Sequence, residues 1–122
     1  THWTVLTQLR ILAGAQTKRE AIPALIQVFS VLAEHYAVES EPGGFFDLFI
    51  HPTHGQAVVD DLTEAHRILT AATLGLIARN REGSFLSGCH LLAEQLIAHE
   101  RLEARLAAEA SDANTYLLGD ER

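Results

Sequence analysis

Apolar residues recur at helical spacing through four segments of the chain, separated by stretches rich in glycine, proline and polar side chains. The first segment runs from about His2 to Gln16, with Val5, Leu6, Leu9, Leu12 and Ala13 on one face and Gly14 weakening its end. The second opens at Thr17-Lys18-Arg19-Glu20, a hydroxyl three residues before a carboxylate, which is the pattern of a capping box. Pro23 falls near its first turn, where proline is tolerated best. Its inner face reads Leu25, Val28, Phe29 and Leu32, and then His35, Tyr36 and Glu39, before Pro42-Gly43-Gly44 stops it. Residues 41–55 form a connection in which Phe45 to Ile50 makes a short apolar helical turn, ended by His51-Pro52. Phe45, Phe46 and Phe49 are expected to plug one end of the core. Thr53-His54-Gly55-Gln56 reads as a second capping box, opening a third helix that reaches about Arg79. Val58, Val59, Leu62, His66, Leu69, Thr73, Leu76 and Ile77 form its inner face. After the turn Asn80 to Gly83, Ser84 is placed to cap a fourth helix with Phe85, Cys89, Leu92, Leu96, His99, Glu103 and Leu106 on one stripe. Beyond Ser111 we expect a short polar tail, with one further turn packed through Tyr116 and Leu117.

Four long amphipathic segments joined by connections of modest length predict an all-α fold, an antiparallel up-down four-helix bundle. No strand pattern or internal repeat competes with it. At 122 residues the chain supports one core, so a single domain is expected over residues 1–122.

Composition narrows the partners. A net charge of −7 argues against nucleic acid, whose phosphates need a basic face. No charge-free apolar run reaches the roughly 18–20 residues of a membrane span. The stretch Thr1 to Arg10 lacks the basic segment and uninterrupted apolar core of a signal peptide. The single cysteine, Cys89, forms no internal disulfide, which fits a reducing cytoplasm. We therefore expect a cytoplasmic protein with no membrane and no nucleic-acid partner.

The chemistry lies where two inner stripes change from carbon to ligand-type atoms. His35 and Glu39, four residues apart, differ by about 40° in direction and roughly 6 Å in height on a helix, so both can grip one ion. The same spacing returns in His99 and Glu103. Seven histidines and eleven glutamates in 122 residues give less than one His-x-x-x-Glu pair by chance, and the chain has three. The third, His90/Glu94, lies on the opposite side of its helix from His99 and reads as a solvated surface pair. His66 sits between Leu62 and Leu69, and His2 one turn before Leu6 and Leu9. A lone histidine on an apolar face is more often a hydrogen-bonded core residue than a ligand. Four helices each offering an inward histidine, two with an inward glutamate one turn on, favour a metal site, because buried carboxylates are costly without a partner. Imidazole and carboxylate without thiolate suit iron, manganese or zinc, and six ligands suggest two ions. The chain contains no Glu-x-x-His, the spacing of ferritin-type sites, and no His-Glu-x-x-His, the motif of zinc proteases.

Four motifs occur in order: His2 in the first helix, A-E-H-Y-A-V-E-S-E-P-G-G-F-F from Ala33 to Phe46, E-A-H-R-I-L from Glu64 to Leu69, and A-H-E-R-L-E-A-R-L from Ala98 to Leu106. This series resembles the hemerythrin-like domains, also called the HHE cation-binding family, and the resemblance covers nearly the whole chain. It implies a four-helix bundle around a non-haem di-iron centre. Carried over by position, His2, His35, His66 and His99 would be imidazole ligands, and Glu39 and Glu103 would bridge two iron ions. Two positions depart from the oxygen-carrying members. Thr70 stands where they have a second histidine, and Ala104 stands where they have the last carboxylate, with Glu103 taking over. The missing imidazole argues against reversible oxygen transport. It opens a coordination position to water, dioxygen, nitric oxide or peroxide.

The remaining candidates read as structural. His51 and His54 are loop residues, Cys89 is a small core residue and Tyr36 packs in the core beside a ligand. Glu34 and Glu100 are placed to orient neighbouring ligands, although exposed helix faces carry glutamate routinely. Three functions are then in competition. The leading one is a binding or sensing module for dioxygen, nitric oxide or peroxide, with no catalytic residue assigned. The second is a di-iron redox enzyme acting on peroxide or nitric oxide. The third is a metal-free structural bundle. Ile68 to Ala78 carries almost no charge around its circumference, which predicts either deep burial or a homodimer contact.

Overall fold

A computed structural model describes the backbone of residues 2–120 and the side chains of residues 2–110. The described chain is all-helical: α1 (His2–Ala13), α2 (Lys18–Ser40), a π-helical turn (Phe46–Ile50), α3 (His51–His54), α4 (Gln56–Ala78) and α5 (Phe85–Asp120), with no strand among the described residues. Each long helix packs against two others in sequence around a ring, α1 on α2, α2 on α4, α4 on α5 and α5 on α1, with a further contact of α2 across to α5.

The apolar stripes account for this packing. Val5, Leu9 and Leu12 of α1, Leu25, Val28 and Leu32 of α2, Leu76 of α4, and Phe85, Cys89, Leu92 and Leu96 of α5 form one buried cluster. Fully burying each leucine-sized side chain contributes about 1.5–3 kcal/mol. A second, smaller cluster of Phe46, Ile50 and Leu62 closes the opposite end. On α4 His66 lies between Leu62 of the second cluster and Leu76 of the first, and on α5 His99 lies between Leu96 of the first and Leu102 beside the second.

Several local features follow their sequence signals. Thr17 caps α2 by accepting from the Glu20 N–H at 3.2 Å, and the Glu20 carboxylate reaches back to accept from the Gln16 N–H at 3.2 Å. The reciprocal bond thus lands one residue before the cap. Pro42-Gly43-Gly44 ends α2 as expected, and Gly44 is required there. A Cβ at that position would lie 2.6 Å from the Val38 carbonyl oxygen and 2.8 Å from that of Glu41.

Other expectations are corrected. The short apolar turn ends at Ile50 as expected, but His51-Pro52 opens α3 in place of a loop, with Pro52 in its first turn, where its missing N–H is harmless. Thr53 therefore lies inside α3 and caps nothing. The N-cap of α4 is Gly55, at φ +86, with no side-chain cap bond. Of the three phenylalanines expected to plug the core, only Phe46 is buried; Phe45 is partly buried and Phe49 is exposed. α1 ends at Ala13, three residues earlier than the periodicity suggested. α5 continues to Asp120 in place of a short tail after Ser111, and the packing expected of Tyr116 and Leu117 lies outside the described side chains.

Two surfaces bear on partners. α2 is long and apolar enough to cross a membrane by length and composition, with a mean hydropathy of 1.4 over its most apolar stretch. In this fold one face of it packs against α1, α4 and α5. The outer face of α4 is uncovered within the single chain, with Ile68 and Leu74 about half exposed.

Candidate metal centre

The six predicted ligands come together. His35 and Glu39 enter from the last turns of α2, His66 from the middle of α4, His99 and Glu103 from α5, and His2 from the first turn of α1. His35 Nε2 lies 3.3 Å from Glu39 Oε1, and His2 Nε2 lies 3.8 Å from Glu39 Oε2. On the other side His66 Nε2 lies 3.0 Å and His99 Nε2 3.3 Å from Glu103 Oε2. Glu39 Oε1 also reaches His66 Nε2 at 3.6 Å, so this carboxylate faces both halves. Two groups of ligand-type atoms result, His2, His35, Glu39 and Glu103 in one, and His66, His99 and Glu103 in the other, each within 4.8 Å of its own members. Glu103 belongs to both.

Helical phase explains the convergence. On α2 the positions Leu32, His35, Tyr36 and Glu39 continue the buried stripe of Leu25 and Val28. On α5 His99 and Glu103 continue that of Leu92 and Leu96. Aromatic rings wall the site. Tyr36 stacks on His66 with centroids 3.6 Å apart, while Phe45 and Phe46 of the connecting segment contact His2 and His66 at 5.3 and 5.4 Å. The phenylalanine segment thus covers the site as well as forming the second apolar cluster.

One residue of the site was underrated from sequence. Glu100 is 1% exposed, not on a solvated face, and its Oε2 lies 2.5 Å from His2 Nδ1 and 3.4 Å from His35 Nε2. The signal was present in the spacing, since Ala93, Leu96, Glu100 and Glu103 follow one another by three, four and three residues. His90 also departs from its surface assignment. Its Nε2 meets the Ala15 carbonyl oxygen at 2.6 Å, satisfying the chain just past α1, while Glu94 is exposed. His51 is exposed as expected, whereas His54 is half-buried and bonds the Leu106 carbonyl at 3.1 Å. Cys89 is a buried free thiol within the carbon core.

The electrostatics are unusual for a protein interior. Three buried carboxylates, Glu39, Glu100 and Glu103, form ion pairs with histidines, and no lysine or arginine pairs with them among the described residues. Burial, reinforced by Glu103 and Glu100, pushes the Glu39 carboxyl up to about 10. Burial acts upward on Glu103 too, but the adjacent His66 and His99 imidazoles outweigh it and hold that carboxyl down at about 2. For Glu100 the same upward pull of burial is overcome by His2 and His35, which hold it below the usual carboxylate range. The bond to Glu100 raises His2. Burial, with the three carboxylates nearby, pushes the Tyr36 phenol far above its ordinary value.

The donor set fits a metal. His2 Nε2, His35 Nε2, His99 Nε2, both oxygens of Glu39, and one oxygen each of Glu100 and Glu103 are buried with no hydrogen-bond partner. Native interiors leave few polar atoms unpaired, and a metal ion at this point could serve as a common partner for them. Ligands held about 2.0–2.2 Å from one ion lie roughly 3.0–3.5 Å apart, the range of the closest contacts here. Compared with protein-family models, curated proteins and solved structures, the chain matches none, so the reading of this site stands on its own geometry.

Proposed function

We propose that the chain is a hemerythrin-like antiparallel up-down four-helix bundle. It holds two iron ions at His2, His35, Glu39, His66, His99 and Glu103, and binds or senses dioxygen, nitric oxide or peroxide there. The observation that carries this reading is the position of the two carboxylates. Glu103 is shared by both ligand groups, and Glu39 faces imidazoles on both sides, as bridging ligands would. Two imidazoles then remain for each ion. Manganese or zinc would satisfy the same donors, and iron is favoured by the resemblance of the four motifs to hemerythrin-like domains. When bound, iron supplies redox capacity and an open position for a small ligand. The protein supplies a dry aromatic wall of Tyr36, Phe45 and Phe46 that limits water at that position.

The enzyme reading is supported by one feature. A groove of about 440 Å³ between α2 and α4, lined by Ala33, Tyr36, His66, Arg67, Thr70, Ala71 and Leu74, brings solvent to the edge of the site. It gives peroxide or nitric oxide a route to His66. On either reading α2 is the core helix of a cytoplasmic protein, no nucleic acid or membrane is engaged, and two chains pair through the uncovered face of α4.

The test is to load the protein anaerobically with ferrous iron and follow its absorption on adding dioxygen, nitric oxide or peroxide. A spectrum that changes and reverses on removing the ligand supports binding, and catalytic loss of peroxide or nitric oxide supports the enzyme. Replacing Glu39 and Glu103 by alanine should abolish the change together with the metal. Metal retained in that double variant would overturn the ligand assignment.

A further inference from the structure

Resting on the metal-centre reading, we propose that Glu100 is a positioning residue that makes His2 a ligand, so that one half of the centre depends on it and the other does not. His2 sits in the first turn of α1, where a helix has no preceding turn to hold it. Its side chain is about one-third exposed, the most accessible of the four imidazoles. The ring is bonded from another helix.

Glu100 of α5 makes that bond. Its carboxylate accepts from His2 Nδ1–H at 2.5 Å, and a carboxylate only accepts, which places the ring proton on Nδ1. The lone pair is then on Nε2. That atom is buried, has no hydrogen-bond partner and faces Glu39 Oε2 at 3.8 Å. The imidazole is therefore presented to the site with the nitrogen a metal needs, by an arrangement in which the far nitrogen is anchored to a carboxylate. The same Glu100 oxygen lies 3.4 Å from His35 Nε2, so the ion pairs of Glu100 are made within the His2/His35 half. His66 and His99 pair with Glu103 and make no ion pair with Glu100.

Variants at position 100 separate the possibilities, with the full chain titrated anaerobically by ferrous iron. Wild type should take up about two ions per chain, the number that the paired ligand groups imply. In Glu100→Ala one of the two should weaken by about ten- to a hundredfold, the usual effect of losing such an anchor, while the other is unchanged. Glu100→Gln keeps an oxygen that accepts from Nδ1–H and should restore most of the loss. His66→Ala should weaken the opposite ion instead.

Nitrogen NMR of the His2 ring in metal-free wild type gives a readout that folding defects do not mimic: a proton on Nδ1 is expected. In the neutral ring a proton on Nε2 in place of Nδ1, two ions bound by Glu100→Ala as tightly as by wild type, or no rescue by Glu100→Gln would each overturn the proposal. Failure of wild type to bind any ion would instead overturn the metal-centre reading, with the His2 tautomer still deciding the role of Glu100.

Discussion

The two halves of α2 and α5 share one helical phase and differ in chemistry. From Ala21 to Leu32 and from Phe85 to Leu96 the buried stripe is carbon, apart from the thiol of Cys89, and every group in it is satisfied by contact. From His35 to Glu39 and from His99 to Glu103 the same stripe carries imidazole and carboxylate, ion-paired with one another and with several buried atoms left without a hydrogen-bond partner. The carbon half can close on itself. The His/Glu half is incomplete as protein alone, since a buried unpaired carboxylate lowers stability unless something cationic joins it. The carbon half supplies stability, and on the proposed metal reading the His/Glu half gives part of it up for binding.

In the carbon half the effect should be the same in every metal state. Leu25→Ala, at a position 1% exposed, should cost about 2–5 kcal/mol in denaturant unfolding, equally with iron or with chelator present. A loss seen only in the metal-loaded protein would erase the division.

In the His/Glu half, loading with metal at a thousand times its dissociation constant should raise stability by about 4 kcal/mol per site. Glu39→Ala with Glu103→Ala should remove that gain. Without metal, the same double variant should be as stable as wild type or more so, because two buried carboxylates are gone.

The dependence on pH should distinguish the halves next. Glu39 keeps its proton when folded up to about 10, whereas an unfolded glutamate loses it near pH ~4.3. The folded state thus binds more protons across that window, and metal-free stability should fall as pH rises through it. His2 acts in the same sense, since its raised value gives a contribution present below about 6.5 and lost as pH climbs through the folded value. Glu103 opposes them only in acid: its contribution, present above the unfolded value, disappears as pH falls through about 2. Glu39→Gln should flatten the decline above neutral pH, measured as melting temperature in chelator. Metal-loaded protein should show the reverse trend, because ligation needs unprotonated groups.

The smallest effect should be at the α2 cap. Thr17→Ala should cost about 1 kcal/mol, read from the denaturation midpoint, and leave metal content unchanged.

Much of this was legible in the sequence because helical phase is a strong signal. The stripes of α2, α4 and α5 place Leu25, Leu32, Leu62, Leu76, Phe85 and Leu96 in the interior as their spacing requires, and carry His35, Glu39, His66, His99 and Glu103 with them. Glu100 was harder to see. A stripe centred on His99 and Glu103 treats the residue between them as a flank, yet a helix packed against two neighbours buries a wider arc. The π-helical turn at Phe46–Ile50 leaves no period to read, since it is a single turn of i to i+5 bonding. Thr53 misled because Pro52 had already started α3, putting the hydroxyl inside a helix rather than before one. His90 found its role in a tertiary contact, the Ala15 carbonyl beyond the end of α1, which no local pattern encodes.

The most direct test of the central claim is elemental analysis of tag-free protein reconstituted anaerobically with ferrous iron. Glu103 in both ligand groups, Glu39 facing imidazoles of both and four imidazoles in all predict about two ions per chain. A chain that retains none, while its helices and its unfolding midpoint are unchanged, would contradict the metal centre and leave the histidines as core residues.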